Sequence, residues 1–170
     1  MSEAETNVKK QIEKARVLHA ALGAACLADP EVGGLLVALD LRVKASDSFM
    51  VSSGVAMACG RCAEATGSCC FKEMGESYGF IELLANRLLG AELPRERELP
   101  GGCFFVGKKG CTLKTRHSFC LNYFCPELIA FLGEKTVLEL QRQVGEQLSL
   151  GWELERALTR YITRSIPERL

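Results

Sequence analysis

A chain of 170 residues, 48% hydrophobic and 25% charged, has room for one domain with a genuine hydrophobic core, and this composition argues against disorder. Lysine plus arginine and aspartate plus glutamate balance at 21 each, so no global field draws in nucleic acid or an anionic membrane. Residues 1–16 mix Glu and Lys without an apolar run, unlike a secretory signal, and the apolar run over 35–41 is broken by Asp40 and far too short to cross a bilayer. The expectation is a single cytoplasmic domain over 1–170, with no membrane association and with nucleic acid disfavoured as a partner.

Apolar residues recur at Val8, Ile12, Ala15, His19, Leu22 and Cys26, the stripe of a first helix ending near Ala28. Asp29-Pro30-Glu31 then predicts a second helix, with Asp29 as N-cap and Pro30 at the first helical position. Val32, Leu35, Leu36, Leu39 and Val43 would share one face of it. Residues 46–58 fit either a continued helix or a loop into the first cysteines. A third helical pattern covers about 76–89, with Phe80, Leu84 and Leu88 in register and Gly90 as C-cap. Residues 94–102, with mixed charges and a Pro-Gly-Gly end, read as an exposed loop. Cys103-Phe104-Phe105-Val106, Gly107-Lys108-Lys109-Gly110 and Cys111-Thr112-Leu113 predict a small hairpin with a glycine-bounded turn. Helix resumes at Pro126 and runs to about Thr163 with a break near 149–151; Leu154, Leu158 and Tyr161 form its stripe and Trp152 packs near its start. The fold class is mainly α: helices flanking an irregular cysteine-rich metal-binding centre, about 59–126, that carries a small β-hairpin.

Eight of the nine cysteines lie between Cys59 and Cys125. In a reducing compartment, dense cysteines in a chain large enough to fold without staples point to metal ligation rather than disulfides. Thiolates are soft donors suited to zinc or an iron–sulfur cluster, each needing four ligands. The candidate ligands are Cys59, Cys62, Cys69, Cys70, Cys103, Cys111, Cys120 and Cys125. Eight candidates allow two sites, one site with spare thiols, or a multinuclear centre. The two residues between Cys59 and Cys62 suit a tight turn aiming both sulfurs at one metal, with Gly60 easing the turn. Neighbouring cysteines diverge along the backbone, so Cys69 and Cys70 cannot easily chelate one metal together; Cys70 is the favoured ligand and Cys69 reads as a small buried hydrophobe.

The order Cys59-x-x-Cys62, Cys69-Cys70, Cys103-Phe-Phe-Val, Gly110-Cys111-Thr-Leu, Arg116, Cys120 and Tyr123-Phe124-Cys125 resembles the YkgJ-like cysteine-cluster family. That family is described as zinc- or iron-chelating and is related to flagellin lysine N-methylases. The resemblance covers about 59–126 and implies a zinc or iron–sulfur cofactor held by these cysteines. Six residues separate Cys62 from Cys69 where the family's compact motif has two, and Arg116-His117 stands where it has Arg-Pro.

His19 and Cys26, on the first stripe, read as core residues. His117, three residues before Cys120, is a lesser candidate for the metal or its surroundings. Lys108, Lys109, Lys114 and Arg116 read as a solvated loop, as compensation for thiolate charge, or as a contact for an acidic partner or nucleic acid. A Cys120–His117 nucleophile lacks any sign of an orienting third group. The leading expectation is a metal-binding protein whose centre is structural or transfers electrons. The alternatives are an enzyme modifying a protein or small molecule, methyl transfer included, and a zinc-scaffolded partner-binding module.

Overall fold

The computed structural model describes residues 3–66 and 69–166. It is mainly helical, with eight helices and one two-stranded antiparallel sheet among the described residues. The long helices are α1 (Glu3–Ala28), α2 (Pro30–Ser52), α3 (Val55–Thr66) and α7 (Glu134–Ser165); shorter ones are α4 (Phe80–Leu88), α5 (Ser118–Asn122), α6 (Pro126–Leu132) and a 3-10 helix over Lys72–Ser77. No single described helix is long and apolar enough to cross a membrane.

The two N-terminal helices follow the predicted punctuation. Asp29 Oδ1 accepts hydrogen bonds from the amides of Glu31 at 3.0 Å and Val32 at 2.9 Å, and Pro30 opens α2. This satisfies two amides that the first helical turn would otherwise leave without a partner. Val32, Leu36, Leu39 and Val43 are buried along one face, and Leu35 packs beside them. Residues 46–58 resolve as helix on both sides of a break at Ser53 and Gly54. α2 lies along α7 and α1 along α4, with α4 also touching α7. Between α2 and α7 the buried Ser46 hydroxyl donates to Gln147 Oε1 at 2.5 Å, so both buried side chains have polar partners.

The C-terminal half departs from the reading in three places. The expected helix over 76–89 is a 3-10 turn followed by α4, because Glu82 Oε2 accepts from the Gly79 amide at 2.8 Å and starts a new helix there. Gly90, with φ +84°, ends α4 as expected: its amide bonds Arg87 O and the Ala91 amide bonds Asn86 O, the paired closure that a left-handed residue permits. The helical break falls at Gly133, and α7 runs unbroken through 149–151. Trp152 is exposed on α7 with the Arg156 guanidinium 4.8 Å from its ring, rather than packed.

The apolar interior forms two clusters. The larger joins α1, α2, α4 and the end of α7 to Phe104, Phe105 and Leu113. The smaller gathers Val55, Leu121, Leu128, Leu140 and Val144, with Ala58, Phe124 and Cys125 against it. Cys26 is fully buried in the larger cluster, as expected of a core residue; His19 is half-buried, and burial, then Arg87, lowers its pKa. Replacing Asp29 with Ala should cost about 1 kcal/mol, a lost N-cap. Chemical denaturation should register it as a lower midpoint with an unchanged slope, and an unchanged midpoint would remove the cap from the account of α2.

Candidate metal centre

The eight candidate cysteines stand on five separate pieces of chain. Cys59 and Cys62 lie on α3, not on a tight turn: their three-residue spacing puts both on one helical face, and Gly60 is an ordinary helical residue. The long spacing to Cys69 runs partly through residues 67 and 68, which are outside the described residues. Cys69 is exposed and Cys70 half-buried just before Phe71, which pairs with Gly102 in an isolated antiparallel bridge. Cys103 is buried, and its amide donates to Cys70 O at 2.8 Å. Cys111 lies in the predicted hairpin, formed by β1 (Val106–Gly107) and β2 (Gly110–Cys111) with Val106 opposite Cys111. Cys120 is on α5 and Cys125 is the N-cap of α6.

Buried contacts that the sequence reading missed hold this region together. Asn86, fully buried in α4, donates to Glu82 O and Thr115 O, each at 3.0 Å, and accepts from the amides of Lys114 at 2.8 Å and Thr115 at 3.1 Å. One amide thereby fixes the strand exit on the way from Cys111 to Cys120. Its signal was present: a lone polar residue after Leu83, Leu84 and Ala85. Tyr78 is buried, with its ring edge-on to Phe105 and His117, and its hydroxyl accepts from the His117 amide at 2.8 Å. The same hydroxyl lies 4.0 Å from Cys120 Sγ. No local pattern could have found it, since its partners are about forty residues away. Gly75 lets the 3-10 helix press on the Cys103 segment: a Cβ there would meet the Phe104 amide nitrogen at 2.9 Å.

The thiolates act on one another electrostatically. Cys70 opposes ionisation of Cys59, Cys69, Cys103, Cys111 and Cys120, and Cys125 opposes that of Cys59. Burial is the larger cause throughout, pushing Cys103 up to about 11 and raising the other four. Cys111 is exposed as a residue, yet burial of its sulfur leads its upward shift. Backbone hydrogen bonds work the other way, from Phe105 at Cys103 and Leu113 at Cys111, and so do two side chains. The Tyr78 hydroxyl favours the Cys120 thiolate, and Arg116 favours those of Cys111 and Cys120. Arg116 is held by Asp47 of α2 at 2.5 Å. Of the basic patch, then, Arg116 takes the charge-compensating position, while Lys108, Lys109 and Lys114 are exposed. His117 caps α5, its Nδ1 accepting from the Phe119 amide at 3.2 Å.

The donor set fits a soft metal in kind and in number: eight thiols, hydrogen-bond donors and a guanidinium beside them. The spacing is looser, for no three His, Cys, Asp or Glu side chains among the described residues stand close enough to hold a metal ion. Neither of two cavities is lined by a cysteine. The larger, ≈420 Å³ and open, lies between α2 and α7 beside Arg42, Phe49 and Arg142. The smaller, ≈20 Å³, sits behind the cysteine region among Tyr78, Glu82, Thr115, Arg116 and Glu155.

Asn86→Ala should cost roughly 3 kcal/mol, because it leaves buried amides and a carbonyl without partners; faster amide hydrogen exchange at Lys114 and Thr115 would locate the damage, and exchange unchanged there would refute the anchoring role. A second expectation concerns pH. Burial, then the Glu82 carboxylate, push Glu155 up to about 7, so the folded state keeps a proton that the unfolded chain releases near pH 4. The associated stability is complete below about pH 4 and lost as pH rises through 7. Glu155→Gln should therefore leave stability unchanged at pH 4 and raise it at pH 8, on the order of 1 kcal/mol after allowance for solvent screening; equal effects at both pH values in thermal melts would exclude this titration. Compared with family models, curated proteins and solved structures, the chain matches none.

Proposed function

We propose that the chain is a metal-binding protein whose thiols hold a soft metal centre, zinc or an iron–sulfur cluster, in a structural or electron-transfer role. The observation that carries this reading is eight thiols on separate segments, with Cys70 opposing the ionisation of five others, although metal binding would have to draw the sulfurs closer than they stand. Thiolates gathered in this way repel one another, and folding gains nothing from the repulsion. A bound cation reverses its sign, and with it the thermodynamic sense of the arrangement. Cys59, Cys62, Cys69, Cys70, Cys103, Cys111, Cys120 and Cys125 would supply the ligands. Metal would tie α3, the hairpin, α5 and α6 together through bonds, and an iron–sulfur cluster would also carry an electron. Arg116 and the Tyr78 hydroxyl would offset the excess negative charge that four thiolates leave on a divalent ion.

A second reading, a metal-scaffolded partner-binding module, draws on the aromatic row beside these cysteines. Phe71, Phe119 and Tyr123 are all exposed; Phe71 meets Phe119 edge-on at 5.7 Å and Phe119 stacks on Tyr123 at 5.2 Å. Exposed aromatic clusters of this kind are enriched at protein interfaces.

Metal and acid-labile sulfide should be measured on protein purified without oxygen. Brown protein with iron and sulfide identifies a cluster, and colourless protein with stoichiometric zinc identifies a zinc site. Cys26→Ser should keep the full metal content, whereas Cys111→Ser should lower it. Protein that holds no metal and takes up neither zinc nor iron with sulfide would overturn the proposal.

A further inference from the structure

Cys70 and Cys103 stand directly opposite one another across an antiparallel pairing. The isolated bridge joins Phe71 to Gly102. In antiparallel register the residue before Phe71 faces the residue after Gly102, and those two residues are Cys70 and Cys103. The 2.8 Å hydrogen bond from the Cys103 amide to Cys70 O is one that this register requires. Residues opposed in this way carry their side chains on the same face of the pair. Burial agrees: Phe71 is exposed on one side, while Cys103 is buried in the larger apolar cluster and Cys70 packs against it. Gly75 borders the pair, since a Cβ there would lie 3.5 Å from Cys103 Sγ.

Such a pairing has dimensions close to those of a disulfide. Directly opposed residues of a hydrogen-bonded antiparallel pair have Cα atoms about 5.5 Å apart, within the usual Cα separation across a disulfide. Their Cβ atoms, about 5 Å apart, need to close by roughly 1 Å. The bridge is isolated, so no longer ladder holds it against that adjustment. Cys59 and Cys62 are nearer in sequence but less well disposed: helical neighbours three residues apart have Cβ atoms about 5–6 Å apart, and the hydrogen bonds of α3 hold them there. Cys69, next to Cys70, is exposed.

We infer that Cys70 and Cys103 form a reversible cross-strand disulfide, a modification site whose oxidant is a small disulfide of the glutathione type. It needs two thiols and no cation, so it stands apart from the metal-binding reading. Half-buried Cys70 is the accessible member and reacts first. Its sulfur loses a proton and bonds to one sulfur of the oxidant, whose other half takes a proton and leaves as a thiol. The Cys103 sulfur then loses its proton and attacks Cys70 Sγ, and the second half of the oxidant leaves as a thiol. Two protein thiols become one disulfide while one small disulfide becomes two thiols. Closure encloses the 3-10 helix and α4 in a covalent loop, which restricts the unfolded chain. A disulfide that needs backbone adjustment is readily reduced, as reversible closure requires. Oxidation also withdraws both thiols from the candidate metal ligands.

The test is oxidation of the reduced, metal-free full chain with glutathione disulfide in the presence of a chelator. An acid quench, alkylation of the remaining thiols in denaturant and mass spectrometry of linked peptides then map the bond. Wild type should yield a peptide carrying Cys70 joined to one carrying Cys103, lighter by two hydrogens, and dithiothreitol should restore both thiols. The thermal midpoint should rise on oxidation and return on reduction. Cys69→Ser should keep the link, which assigns it within the adjacent pair. Cys70→Ser, shown to be folded by its helical circular dichroism, should leave Cys103 alkylated. Cys103 found alkylated in oxidised wild type, or joined to any cysteine other than Cys70, would overturn the inference, whether or not the Cys70→Ser variant folds. Neither outcome would touch the metal-binding reading, which metal uptake by the reduced protein decides.

Discussion

The cysteine-bearing half of this protein depends on one buried amide. Residues 112–117 have almost no regular structure of their own, and where such a segment packs against helices its backbone polar groups need partners. Asn86 supplies them from α4, using both its donors and its carbonyl oxygen. A carbonyl oxygen with two lone pairs and an amide with two hydrogens can do this; neither Asp nor Leu offers the same set. Because α4 is itself packed on α1 and α7, the position of the strand exit is inherited from the helical core. Tyr78 continues the anchorage one step further, from the core ring stack to the His117 amide and the edge of Cys120. Both side chains act on the cysteines by fixing backbone, and neither needs a metal to do so.

Ionising the thiols anchored this way carries an electrostatic cost. Burial and mutual repulsion both raise the pKa values of Cys59, Cys69, Cys103, Cys111 and Cys120, so the metal-free protein holds them largely as neutral thiols near pH 7. Their ionisation is then coupled to metal uptake: each ligand that binds releases its proton, and apparent affinity should rise with pH. Arg116 reduces this proton cost at Cys111 and Cys120 without adding a mobile charge, since Asp47 fixes its guanidinium from α2. The same carboxylate explains why Arg116, rather than the three exposed lysines, has a defined place. Lysine charges on a solvated loop are screened before they reach the sulfurs.

Much of the helical frame was legible in the residues. Asp29-Pro30 marked a helix start by a mechanism local to four residues, and the stripe Val32, Leu36, Leu39, Val43 is buried as its spacing requires. Gly90 and the hairpin around Lys108-Lys109 were equally local and equally readable. What failed was punctuation decided by tertiary context. Gly151 looked like a break but packs within a continuous helix, and the actual break at Gly133 uses a positive φ that composition does not reveal. Cys59-x-x-Cys62 is the instructive case. The spacing of two residues suits a turn and a helical face alike, and the alanines of α3 favour helix while Gly60 between the cysteines disfavours it, so the local signal is divided. How the cysteine segments are anchored was not legible, because Tyr78, Asn86 and Asp47 contribute across long stretches of sequence.

The stretched Cys62-to-Cys69 interval acquires a physical meaning from these placements. In a compact motif, two residues between cysteines keep successive ligands beside one another, favouring a single centre. Here α3 extends to Thr66, so a further helical turn follows Cys62. That helical turn adds about 5–6 Å of rise along the axis, comparable with the span of a tetrahedral thiolate site. The extra residues therefore do more than lengthen a loop. α3 seats against α6 and the smaller apolar cluster through Val55 and Ala58, while Cys70 is drawn to the larger one by its hydrogen bond to Cys103. Cys69 and Cys70, neighbours in sequence, thus have different surroundings: Cys70 packs against the larger apolar cluster, and Cys69 is exposed.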